Sequence, residues 1–143
     1  MNSPASTHLT ADKLATLRRF IGPQQMQTIL HYMRGEEGRY YRLRLADLHE
    51  IIATMPRTYQ TEGLGDRAMV SLHYFAGGSA NWWITELDRE PVQHQAFGMA
   101  DLFGDGGELG YINLVELLAA GAELDLHFEP RTLSAMNPRR LAL

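Results

Sequence analysis

Five small groups of side chains in this 143-residue chain have the types and spacing to do chemistry. Glu86 and Asp88 stand one pleat apart at the end of a strand candidate, and paired carboxylates can hold a cation or serve as acid and base. The plainer alternative is a solvated strand end. Asp101, Asp105 and Glu108 surround glycines in DLFGDGGE. That stretch lacks the D-x-D-x-D-G order and the downstream glutamate of a calcium loop, so a turn is preferred. His73 and His127 lie on strand candidates, and with Asp125 or Glu129 they would make a hard-ligand metal site. The six histidines form neither H-x-x-x-H nor H-E-x-x-H, and polar-face residues are the simpler reading. Trp82 and Trp83 alternate across a strand, so at least one is buried and the other can be a stacking platform or a contact hot spot, although burial of both between sheet and helices is the simpler reading. Arg34, Arg39, Arg42 and Arg44 cluster around Tyr40 and Tyr41, a mixture suited to phosphate or carboxylate. Glu36, Glu37, Asp47 and Glu50 lie close enough to neutralise them by helix-surface pairing.

Composition removes several classes of function. The chain has no cysteine, which excludes disulfides, thiolate catalysis and thiolate metal sites. Ser71 and Ser79 lack a glycine-framed elbow, so a hydrolase has little support. No apolar run reaches the roughly 18 residues that span a bilayer, and the N-terminus lacks a secretory pattern; the expectation is a cytoplasmic protein. Net charge is −4 but uneven: residues 1–67 sum to +2 and residues 68–143 to −6. An acidic chain argues against strong nonspecific nucleic-acid binding.

The elements that must position these groups change character midway. Thr10 caps a first helix carrying Leu14, Leu17 and Ile21; Gly22 ends it and Pro23 opens a second with Met26, Ile29, Leu30 and Met33. A third carries Tyr41, Leu45, Leu48, Ile52 and Met55 on one stripe and stops at Pro56. Residues 57–68 read as a polar connecting loop. Period two then takes over. Strands are expected at 69–75, with Val70, Leu72 and Tyr74 on one face, and at 82–87, 95–99, 108–112 and 123–129. Asn113 should cap a short helix ended by Gly121. A last helical turn is expected at 132–136. The pattern implies one α+β domain: N-terminal helices (10–56) packed on a mostly antiparallel sheet of about five short strands with one inserted helix (69–136), and loose ends at 1–9 and 137–143.

The blocks HYFAGGSANWWITELD, FGMADLF, ELGYINLVELL and ELDLHFEPRTL, in that order, resemble a domain-of-unknown-function family of short bacterial proteins carried on plasmids and integrative elements. The likeness runs from about Ala68 to Met136, and MRGEEGRYY resembles a longer subgroup. It implies a mobile-element setting beside antirestriction genes. The family brings no catalytic residues to transfer.

The expectation is therefore a noncatalytic binding or accessory protein with no cofactor and no metal. Its partner would be another protein, from the host or the element, possessing no membrane component, with an antidefence role as the sharper version. The candidate contact residues are Trp82, Trp83, Glu86, Asp88, Asp101, Asp105, Arg39, Arg42, Arg44 and Tyr40. A nucleic-acid binder using the Arg/Tyr helix face and a small metal-dependent enzyme using His73 and His127 stand as alternatives.

Overall fold

The computed structural model describes residues 8–90 and 94–136. The expected loose tail from Asn137, and the lead-in as far as residue 7, lie outside them. The chain forms two compact units, Met1–Thr54 and Met55–Leu143.

Among the described residues the first unit is three helices: α1 (Ala11–Leu17), α2 (Pro23–Met33) and α3 (Gly38–Thr54). The Thr10 hydroxyl accepts the Lys13 amide at 3.2 Å, satisfying one of the free N–H groups of the first turn. Pro23 occupies the start of α2, where no amide is missed. Helices α1 and α2 both pack on α3. Leu17, Met26, Ile29, Leu45, Leu48 and Ile52 are all buried, as their spacing predicts. Gly38 is needed at the junction, because a Cβ there would collide with the Met33 carbonyl.

The second unit is the sheet. Its strands are β1 (Met69–Val70), β2 (Leu72–Ala76), β3 (Ala80–Leu87), β4 (Gln95–Asp101), β5 (Glu108–Asn113), β6 (Glu123–Leu124) and β7 (Arg131–Thr132), with helices α4 (Leu114–Ala119) and α5 (Leu133–Met136). Five strands form an antiparallel sheet in the order β5-β4-β3-β2-β6, and β1 and β7 make a separate antiparallel pair. The α+β class is as expected. Asn113 caps α4 by accepting the Glu116 amide at 3.1 Å, and Gly121 follows it with φ 92°.

Cross-strand neighbours share a face. Leu72, Ile84 and Gly98 form one row, and Tyr74 and Leu124 another, on the side where Ala96 faces Ile112. On the opposite side, His73, Trp83, Met99 and Leu109 form a row across β2 to β5. Trp83 and Met99 pack there with Ala68, Val70 and Leu133, contributed by the β1/β7 pair and its flanks.

Two strand expectations fail, each for a local reason. The stretch 69–75 is broken at Ser71, whose amide turns to the Ile84 carbonyl at 2.9 Å. The break resets the alternation, so Val70 joins Trp83 rather than sharing a face with Leu72 and Tyr74. The stretch 123–129 keeps its ladder only to Leu124, because the Asp125 carboxylate accepts the His127 amide at 3.0 Å and bends the chain into an Asx turn. Leu124 and Leu126 are nevertheless buried.

Candidate functional site

The site grows from one irregularity in β3. Strict alternation from Trp83 would send Glu86 to the opposite face. Between Ile84 and Glu86 the register with β4 slips: Ile84 faces Gly98, but Glu86 faces Phe97. A bulge of this kind re-aims a side chain. Here it brings Glu86 to the Trp83 side, in a row with Phe97 on β4 and Tyr111 on β5. The Phe97 and Tyr111 rings meet edge to face, with centroids 5.5 Å apart. Gly98 makes the bulge possible, since a Cβ there would run into the Trp83 carbonyl.

Glu86 is 4% exposed. A carboxylate that deep needs donors, and the loop 57–68 supplies them. The Tyr59 amide donates to Oε1 at 2.8 Å, the Thr61 amide to Oε2 at 2.8 Å, and the Thr61 hydroxyl also to Oε2. Tyr59 holds φ 71°, a left-handed conformation uncommon for a side chain of its size. The loop read as a mere connector is thus wrapped around a carboxylate from the sheet. The solvated strand end expected for Glu86 is not what forms. Asp88 is less enclosed and accepts the Glu90 amide at 3.0 Å.

Between loop and sheet lies a hollow of about 350 Å³, lined by Tyr59, Thr61, Thr85, Glu86, Phe97 and Tyr111 among others. A second hollow of about 210 Å³ shares Tyr59, Phe97 and Tyr111 and adds Asp88. Among the described residues neither lining contains Lys, Arg or His. Arg89 donates at 3.4 Å to the carbonyl of Thr58, which lines the second hollow. The Tyr111 phenol is held above the ordinary tyrosine range, first by its hydrogen bond to the Tyr59 phenol, then by Tyr59 itself, slight desolvation and the Glu86 and Asp88 charges. Any stability tied to this shift is full below the ordinary tyrosine value and is lost as pH rises through the raised one. Tyr59→Phe is expected to bring Tyr111 back toward the ordinary range, as read by ring-carbon NMR over an alkaline titration; an unchanged midpoint would refute the phenol–phenol bond.

Strand β5 ends the sheet. Beside it a third hollow, about 630 Å³, is lined by Leu102, Phe103, Asp105, Glu108 and Tyr111 among others. Leu102, Phe103 and Tyr111 are 45%, 79% and 57% exposed, and Tyr59 is 64% exposed. These four side chains surround hollows that have Tyr111 in common.

The remaining candidates fall elsewhere. Asp101 is buried and accepts the amides of Gly104, Asp105 and Gly106 at 2.7, 3.1 and 3.3 Å, so it organises its own loop; Asp105 is exposed. Trp83 is buried, its ring stacked on His73 at 5.9 Å, and Trp82 is half-buried. His73 sits between Asp125 Oδ2 at 3.1 Å and Asn81 Oδ1 at 2.7 Å, and it shares an open hollow with His127 and Glu129. Among the described residues no group of three or more His, Cys, Asp or Glu is arranged to hold a metal ion. In the helical unit, Arg44 lies 3.9 Å from Asp47, Arg42 donates to the Met33 carbonyl at 3.5 Å, and Arg39 and Tyr40 are exposed. Tyr41 stacks on Tyr32 and meets Tyr40 edge-on. No helix among the described residues is long and apolar enough to cross a membrane.

Sequence reasoning named Glu86 and Asp88 but missed Tyr59, Thr61, Phe97 and Tyr111. Phe97 and Tyr111 face each other across a regular β4–β5 ladder, but only the bulge in β3 brings Glu86 into their row. Comparison with curated proteins and with solved structures gives no match. Residues 43–137 match the family described as Protein of unknown function (DUF2958), a span that holds β1 to β7 and begins well before the blocks noted above. The chain belongs to that family.

Proposed function

We propose that this chain is a noncatalytic binding protein whose contact surface is the β5 side of the sheet unit. The observation that carries this reading is the exposure of Leu102, Phe103, Tyr111 and Tyr59 around adjoining hollows, with Asp88, Asp105 and Glu108 at their margins. Neighbouring exposed apolar side chains rimmed by charge mark protein contact surfaces, and aromatic residues supply most contact energy at such sites. The −6 charge of residues 68–143 favours a basic partner.

The setting belongs to the same proposal. A mobile-element origin and an antidefence role rest on the resemblance of the TELD, ELGY and LDLHF blocks. In that role the carboxylates would offer a host nucleic-acid-handling complex a phosphate-like surface. The test is affinity capture from host lysate with the wild-type chain, beside the variant pair Phe103→Ser and Tyr111→Ser and the variant pair Asp105→Lys and Glu108→Lys. The expected result is one protein recovered in near-equimolar amount by the wild type and reduced at least about tenfold by each pair. Recovery of the same proteins by all three baits would overturn the reading.

A further inference from the structure

We infer that the Tyr59–Phe97–Tyr111 hollow takes a cationic group on a slender stem: an alkylammonium or a methylated ammonium. This deepens the reading above, since it names the chemistry the partner brings to that surface. Three aromatic rings border the hollow, and two of them, Phe97 and Tyr111, already meet edge to face. Glu86 and Glu62 both line it, while Asp88 lines the adjoining hollow that shares all three rings. Aromatic faces attract cations through their quadrupole, and such rings placed with a carboxylate form the usual cage for ammonium groups.

Two further facts favour a cation over a neutral apolar guest. Among the described residues no basic side chain lines either hollow, so the carboxylates are not matched from within those linings. Glu86 also has acceptor capacity to spare. Among the described residues its Oε2 receives two donors from Thr61, whereas its Oε1 receives only the Tyr59 amide; a carboxylate has about four acceptor positions. At about 350 Å³ the hollow is near the lower end of ligand-pocket sizes, which suits one side chain or one small ammonium.

The test uses the full chain with ring-labelled tyrosine. Choline is titrated against 3,3-dimethylbutan-1-ol, its uncharged isostere, and ring signals are followed by NMR. Saturable shifts of Tyr59 and Tyr111 are expected with choline at about millimolar Kd, with the alcohol at least about tenfold weaker. Tyr111→Leu, at an exposed position, should abolish the shifts at Tyr59, and Asp88→Asn should weaken binding without touching the Glu86 hydrogen bonds. Short acetylated peptides bearing lysine, trimethyl-lysine or norleucine form a second arm. Binding by the charged peptides assigns the cation to a protein partner, and binding by choline alone assigns it to a free metabolite; both support the cage. Equal binding of the uncharged isostere, or wild-type shifts in Tyr111→Leu, would overturn it. In that event the capture experiment still reads the broader proposal independently, because its Asp105→Lys and Glu108→Lys pair lies outside the cage.

Discussion

Glu86→Ala is expected to lower the melting temperature by roughly 10 °C and to open the loop around Tyr59 and Thr61 to proteases. The substitution removes the acceptor for two backbone amides and a hydroxyl at once. Each buried donor left without a partner costs about 1–3 kcal/mol. The donors share one segment and can partly rehydrate together, so the sum is discounted to about 3 kcal/mol. For a domain of this size each kcal/mol shifts the midpoint by about 2–4 °C, or a little more. Glu86→Gln should fall between, because its amide keeps one oxygen but offers an N–H where a donor already points. A Glu86→Ala protein that melts within about 2 °C of wild type, with its loop still protected, would show that the carboxylate does not anchor it.

Trp83→Ala carries the other large effect, about 3–5 kcal/mol measured by denaturant titration. Trp83 is 8% exposed, and its ring stacks on His73 and fills the layer between the sheet and the β1/β7 pair with Met99, Val70 and Leu133. Removing it leaves a cavity that strands on both sides prevent from closing. Trp82→Ala is the internal comparison. Trp82 is half-buried on the other face, opposite Tyr74 and Ala100, and its loss should cost about 1–2 kcal/mol. Equal costs for the two tryptophans would contradict the assignment of faces.

How far the fold can be read from the residues depends on which interactions are local. Thr10 and Asn113 announce their helices because a cap is decided within about four residues. Gly22-Pro23 and Gly121 mark breaks for the same reason. The sheet's hairpin through Gly77 and Gly78, and the strand positions, follow from period two. What escapes is set by distant partners. Nothing near Ser71 says that its amide will seek Ile84, and so the change of face at Val70 is invisible. The Asp125 turn could have been suspected from an aspartate within an alternating run, but Leu124, Leu126 and Phe128 alternate convincingly and hide it.

The site is harder still to foresee. Glu86 and Asp88 stand out as carboxylates, yet their alternation assigns Glu86 to the wrong side, because a bulge has no reliable signature in a single strand. Gly98, mid-strand on the partner, is the one hint, since a glycine inside a strand marks a bulge or a close backbone approach. The loop at 57–68 looks like polar filler. Its ordering depends on an acceptor some 25 residues away in Glu86, and that coupling belongs to the folded chain alone.

The pairing of Met69 with Thr132 and of Val70 with Arg131 also sets a timetable. These partners are separated by nearly the whole sheet unit, so their ladder cannot close on the ribosome until the strands between them have emerged. A nascent chain halted before Arg131 presents Trp83 and Met99 without their lid, at the stage when non-local contacts are slow to form and exposed apolar surface invites aggregation. Chaperone dependence during synthesis should therefore end abruptly once the last strand clears the exit tunnel.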